Sequence, residues 1–400
     1  MKTYSKLIIF SLFASVLFAC NKIETSIDGN EDISIELDNS YIQFAAGINT
    51  RGALNTSDVL TDNFAVVGYQ YPGLWENAKS RAVPNVFKDK VTEGFLSDKP
   101  QIVKYVRDGG YYTYEPTQNW TGNKYSFFGY YPSEHPAISL FGDANDNIEG
   151  DPYFMYTLPI FLSNAPDQTH TSLIDLMTAA TIDTRFGAYP DGVIMNMQHR
   201  LAAVDVAFRN YAKHNYTVKN SEGKDETISA PVKVEVIGCN IKLNNIVKKA
   251  KIYLEHTLPT YYVDPELKTD SQEYKAVFGS AEFSLMGSSV EVENGGNIVP
   301  VTVSNPNASL LLIPQKEHLI GSIKLRYKKA YQTSTNSWEP IMNGSTDVFE
   351  TNYEVFSFTR ELVQGRRYYI EVTFTSNAVT LQTLAATEWD EFSDVKHEFE

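Results

Sequence analysis

The chain has 400 residues, 34 basic and 49 acidic side chains, a formal net charge of −15 and two cysteines. A charge of that sign argues against nucleic acid and anionic membrane surfaces as partners. With one cysteine committed to a lipid, an intrachain disulfide is excluded and stability must come from an apolar core.

At the N-terminus, Lys2 and Lys6 form a positive region and Leu7 to Phe18 an apolar run. The run is too short to span a bilayer comfortably and has the length of a signal-peptide core, so residues 1–19 read as a signal peptide. Leu17, Phe18 and Ala19 lead directly into Cys20, a pattern that resembles a bacterial lipobox. In that pattern the thiol is acylated and becomes the mature N-terminus, which makes Cys20 the expected lipidation site and the link to the outer membrane. Cleavage there removes two lysines and no acids and leaves a formal charge of −17. Residues 21–32, NKIETSIDGNED, read as a flexible acidic tether.

Helical periodicity is scarce beyond this point, and short alternating runs recur. Strands are predicted over 64–71, 102–106, 111–114, 125–131 and 153–158. A turn-rich stretch at Arg185 to Gly192, RFGAYPDG, is the expected domain joint. The next segment reads as one long strand that changes phase: Met195, Met197 and Leu201 lie on one parity, Val204, Val206 and Phe208 on the other, which requires a bulge or break near Ala202. Then come 232–236, where Val232, Val234 and Val236 alternate with Lys233 and Glu235, followed by 281–285, 298–303, 309–313, 323–327, 353–358 and 368–374. Many short strands separated by Gly, Asn, Asp and Pro clusters point to an all-β chain of β-sandwiches. The mature chain is longer than one core usually organises, so two domains are expected, 52–190 and 191–400.

Motifs of catalysis are missing: there is no GxSxG elbow, phosphate loop, HExxH or CxxC, and no nucleophile–base pair suggests an enzyme. No cofactor is implied. His199 lies inside a predicted strand and reads as structural, and Cys239, after an alternating strand, reads as a small buried hydrophobe. One acidic loop places Asp143, Asn145 and Asn147 at the two-residue spacing that calcium loops use. Glu149 and Asp151 continue the series, but Ile148 stands where such a loop needs glycine and no glutamate stands at the distance expected of the bidentate ligand, so a solvated loop is the simpler reading. The tyrosine pairs at 111–112, 130–131, 261–262 and 368–369 have the chemistry to stack on sugars, yet alternation turns one member of each pair inward.

Several local patterns in order carry a resemblance. They are TRG at Thr50 to Gly52, FAVVGY at Phe64 to Tyr69, YSFFGYYP at Tyr125 to Pro132, IDLMTA at Ile174 to Ala179 and HRLAAVDVAF at His199 to Phe208. LLIPQ at Leu311 to Gln315, LVQGRRYY at Leu362 to Tyr369 and a late tryptophan at Trp389 complete the set. Together with the lipobox these resemble the fimbrillin family of Bacteroides-type bacteria, subunits of lipoprotein-derived pili. The resemblance implies two transthyretin-like β-sandwich domains in tandem, a place in fimbriae at the cell surface, other pilus subunits as partners, a host or bacterial surface ligand, and assembly by strand exchange. Gly52 follows the arginine where alanine is common.

A sandwich whose first strand is held by a cuttable loop has a removable strand, and its loss bares a sheet edge. Residues 20–51 are therefore expected to hold the tether and that strand, with Ile33, Ile35 and Leu37 facing one way and proteolytic processing between Arg51 and Gly52. The segment AVTLQTL at the other end alternates Val379 and Leu381 with Thr380 and Gln382, a suitable donor strand for a neighbour. The competing reading is a surface glycan-binding lipoprotein, which requires exposed aromatic platforms and no cut at Arg51.

Overall fold

A computed structural model describes residues 41–48, 62–78, 83–84, 101–106, 111–139, 153–162, 175–189, 192–254, 278–303, 309–316, 319–358 and 361–388. Among these residues the chain is all-β, with a single one-turn helix, Trp75–Ala78, and two short 3-10 turns.

The first sheet runs in the order Phe44–Ile48, Val193–His199, Met177–Thr184, Lys124–Tyr131, Phe64–Tyr71, Gln101–Val106, Tyr111–Thr113. All its pairings are antiparallel except the first, in which Phe44–Ile48 lies parallel to Val193–His199. Phe64–Tyr71 is buried along almost its whole length because both faces of the sheet are covered. That is why FAVVGYQY reads as a continuous apolar run rather than an alternation. Phe64 and Val66 belong to one core with Ile42, Phe44, Phe127, Met195 and Met197. Ala65, Val67 and Tyr69 face the other way, into a second core.

That second core continues into the C-terminal half. A sheet of Val299–Pro300, Ala202–Asn210, Arg366–Phe374 and Val379–Glu388, with Leu310–Leu312 also on Ala202–Asn210, supplies Val204, Val206, Phe208, Ile370 and Val372. A third sheet, built on Asp225–Val247 and Ile320–Gln332, supplies Val232, Val234, Val236, Ile241 and Leu325. The two sheets share one apolar interior, and Tyr327 meets Phe374 across it at 5.0 Å between ring centroids. In Asp225–Val247, Val232, Val234 and Val236 point in while Lys233 and Glu235 alternate outward, as the period of two requires. A small sheet of Lys249–Tyr253, Tyr153–Thr157 and Ile138–Ser139 adds Phe154 and Tyr156 to the same core.

The expected phase change near Ala202 is a break between sheets. Val193–His199 ends in the first sheet, Arg200 and Leu201 intervene, and Ala202–Asn210 starts in the second. Each strand keeps its own parity toward its own core, and the change of sheet falls at Arg200 and Leu201. Arg200 is buried there, donating from Nε to Thr178 Oγ1 in the first sheet and from Nη1 to Gln364 (3.4 Å) beside the second. Burial lowers its pKa to about 10, which still leaves it charged. The strand expected over 298–303 shortens to Val299–Pro300, because Pro300 has no N–H to extend the ladder and Val301–Val303 turns into a 3-10 segment.

Two polar devices fix the C-terminal sandwich. Asn210, fully buried, donates from Nδ2 to the carbonyls of Val232 (2.7 Å) and Val292 (2.9 Å) and accepts from the Ala212 N–H (2.9 Å), tying the two sheets together. Asp205, also fully buried, accepts from Arg367 Nη1 at 3.0 Å and from Ser309, and Arg209 pairs with Glu371 at 3.1 Å; both ion pairs bridge the parallel strands Ala202–Asn210 and Arg366–Phe374.

Candidate functional site

Two sheet edges lie where a strand-exchange site is expected. The first is the strand Phe44–Ile48. Its register runs from Phe44 opposite Val193 to Ile48 opposite Met197. The Val193 N–H donates to the Gln43 carbonyl (2.7 Å), and the Ile42 N–H to the Gln118 carbonyl (2.8 Å). Two tyrosine hydroxyls reach across, Tyr114 to the Ile42 carbonyl at 2.7 Å and Tyr112 to the Ala46 carbonyl at 3.3 Å. Desolvation raises the Tyr114 pKa to about 12, so the hydroxyl is a fixed donor at neutral pH. Phe44 is the anchor, meeting Phe64, Tyr114 and Phe127 edge-on at centroid distances of 6.3, 5.7 and 5.3 Å.

The strand lies close enough that its neighbour requires glycine. Gly192 has a φ of +105°, and a Cβ there would stand 3.2 Å from the backbone carbons of Gln43 and Phe44. The other long edge of Phe44–Ile48 has no strand partner among the described residues. Arg51 and Gly52 follow this strand closely but lie outside the described residues, as do Cys20, Ile33, Ile35, Leu37 and the loop containing Asp143, Asn145 and Asn147. Phe44–Ile48 was not among the predicted strands. Its signal is weak, since Ile42, Phe44, Ala46 and Ile48 alternate with Gln43, Ala45 and Gly47, and small residues blur the contrast.

The second edge is Val379–Glu388. Val379 and Leu381 are half-buried against the core while Thr380 and Gln382 are exposed, so the expected alternation is present. Here the segment pairs within its own chain, Val379 opposite Phe374 and Leu381 opposite Val372. A turn at 375–378, closed by the Thr375 N–H on the Ala378 carbonyl (2.9 Å), connects the two strands. No second strand is ladder-paired with it among the described residues, although Thr383 Oγ1 donates to the Ser357 carbonyl (3.4 Å).

The remaining candidates fall into structural roles. Cys239 is completely buried, and burial pushes its thiol pKa far up. His199 Nδ1 bonds Asp175 at 2.9 Å beside the changeover at Arg200. Among the described residues no group of His, Cys, Asp and Glu side chains is placed to hold a metal. Tyr130 and Tyr368 are buried and their neighbours Tyr131 and Tyr369 only half-buried, while Tyr261 and Tyr262 lie outside the described residues.

No curated protein matches the sequence. Among solved structures, a fimbrial protein from Bacteroides vulgatus is similar over 88% of this chain and 100% of its own, at 16% identity and a TM-score of 0.57. A fimbrial assembly protein from Parabacteroides distasonis covers 87% and 98% at 10% identity and a TM-score of 0.34. The tip fimbrial protein Mfa3 from Porphyromonas gingivalis covers 88% and 99% at 10% identity and a TM-score of 0.32. At these identities the first likeness speaks for the fold. The fimbrillin-like family matches residues 88–389, three quarters of the sequence, and the chain belongs to that family.

Proposed function

We propose that this chain is a structural subunit of cell-surface pili, exported as a lipoprotein through Cys20 and assembled by strand exchange after a trypsin-like cut following Arg51. The observation that carries the reading is the strand Phe44–Ile48, which occupies a sheet edge just upstream of that arginine. The cut frees this strand to leave. Ile42, Phe44 and Ala46 would depart with it, opening an apolar groove lined by Phe64, Tyr114, Phe127 and Met195 beside the bare edge of Val193–His199. A neighbour's Val379–Glu388 strand suits the groove because its apolar and polar residues alternate, its backbone supplying ladder hydrogen bonds and its side chains the register. Such a head-to-tail contact does not close on itself and yields a filament.

Arg51→Ala is expected to leave lipidated monomers on cells, and trypsin-treated wild-type protein to form ladders that a chain truncated before Ala378 does not form. Normal assembly of Arg51→Ala, or persistent monomers after trypsin at high concentration, would overturn the reading. In the same cells Cys20→Ser should leave the protein soluble in the periplasm.

A further inference from the structure

The sequence holds two asparagines followed by glycine, Asn294–Gly295 and Asn343–Gly344. In such a pair the glycine nitrogen can reach the side-chain amide carbon of the asparagine, because glycine has no Cβ to obstruct the ring that closes. The attack requires that the asparagine side chain, the glycine N–H and the backbone between them be free to move, and the two pairs differ in all three. Asn294 is half-buried, and its Nδ2 donates to the Ala212 carbonyl at 2.6 Å. The N–H groups of Gly295 and Gly296 both donate to the carbonyl of the fully buried Asn210, at 3.2 and 3.3 Å. The Tyr211 ring lies so close over Gly296 that a Cβ there would stand 2.6 Å from it. Freeing this pair means pulling a loop off the residue that ties the two sheets together.

Asn343 stands in the connection between Trp338–Pro340 and Val348–Glu350, where residues 342–346 are all exposed. The Asn343 N–H donates to the Thr346 carbonyl (2.7 Å) and the Thr346 N–H to the Asn343 carbonyl (3.3 Å), and the tight turn they close holds Gly344 at a φ of +64°. The Gly344 N–H has no hydrogen-bond partner among the described residues, and nothing lies within 4 Å of where a Cβ on it would stand. The asparagine side chain is tethered by its Nδ2 to the Val348 carbonyl at 3.2 Å, an exposed hydrogen bond that water readily replaces. Opening this turn breaks no contact with the core, so it costs little.

We infer that Asn343 is a site of spontaneous deamidation and that the fold protects Asn294 from the same reaction. The Gly344 nitrogen gives up its proton and bonds to Asn343 Cγ; the Cγ–Nδ2 bond breaks, and the side-chain nitrogen leaves as ammonia with that proton, which closes a cyclic imide. Water then opens the imide at either of its carbonyls, giving aspartate or isoaspartate at position 343, with nothing oxidised or reduced. The reaction needs only water and proceeds whether or not the chain assembles. Its product carries one more negative charge and lacks the donor that faces the Val348 carbonyl at the start of Val348–Glu350.

The test holds the folded protein in warm, mildly alkaline buffer, digests samples with pepsin at acid pH and follows the peptides containing Asn343 and Asn294 by mass spectrometry, with aspartate and isoaspartate separated by chromatography. The Asn343 peptide should convert to both products at least about tenfold faster than the Asn294 peptide, since only the latter waits on an opening of the fold. Its rate should rise with pH, because the attacking nitrogen must lose its proton, and Asn343→Gln should keep its amide. In urea, where neither pair is held, the two rates should converge. An Asn343 peptide that keeps its amide, or that converts no faster than the Asn294 peptide in folded protein, overturns the inference. A lag of Asn294 that persists undiminished in urea overturns the protection by the fold.

Discussion

Phe44 illustrates how one side chain can hold a whole edge. It is almost fully buried and meets three aromatic rings edge-on, whereas Ala45 and Gly47 beside it offer almost no apolar surface of their own. Truncation leaves a cavity among Phe64, Tyr114 and Phe127, and Phe44→Ala should destabilise the uncut protein by about 3–5 kcal/mol in urea unfolding. If trypsin cuts after Arg51 as proposed, the same variant should release its N-terminal peptide faster than wild type, as seen by size-exclusion chromatography. Asn210 holds by polarity instead. Asn210→Ala orphans two buried carbonyls and one N–H, at about 1 kcal/mol or more each, and a loss of about 3 kcal/mol is expected from the same unfolding measurement.

At the scale of elements, Asp225–Val247 is one strand with two environments. Its middle is paired on both edges, by Ile320–Gln332 on one side and by Val290–Val292 and Phe278–Ser284 on the other. Its first residues are paired on one edge only, with Lys213–Lys219, and alternate between exposed and half-buried. Backbone opening is cheapest where few buried contacts hold it. Hydrogen exchange should therefore be faster across Lys213–Lys219 than at Val234, Val236 and Ile241. Equal exchange along the strand would show that the Lys213–Lys219 pairing is held as firmly as the core.

For the whole molecule, the tyrosines set a limit on alkaline stability. Burial raises the pKa of Tyr69, Tyr71, Tyr112, Tyr130 and Tyr156 from the ordinary value of 10.0, and that of Tyr114 to about 12. A raised folded-state pKa means that the folded state favours the neutral phenol. Its contribution is complete below pH 10 and is lost as the pH climbs through about 12. The urea midpoint should fall steeply above pH 10, and the absorbance of these phenolates should appear together with unfolding. Phenolate absorbance that develops fully while the fold persists would contradict this.

The sequence by itself determined the all-β class, most strand positions and the family. Alternating β-branched runs such as Val232 to Val236 can bury only one face, and turn residues between them leave few other folds. The inward direction of Val379 and Leu381 was legible for the same reason. Tertiary structure alone decided which edges face out and that Phe44–Ile48 is one of them. Phe44–Ile48 is a strand because Val193–His199 lies parallel to it and Phe64, Tyr114 and Phe127 receive Phe44, and those neighbours are distant in sequence. Phase gave a break near Ala202, but only the packing of two cores against successive strands turned it into a passage between sheets at Arg200 and Leu201. That Lys213–Lys219 pairs only with residues 225–231 was beyond sequence reading, because whether a polar alternating strand projects or packs depends on how far its neighbour Ile320–Gln332 reaches, and local residues do not encode that length.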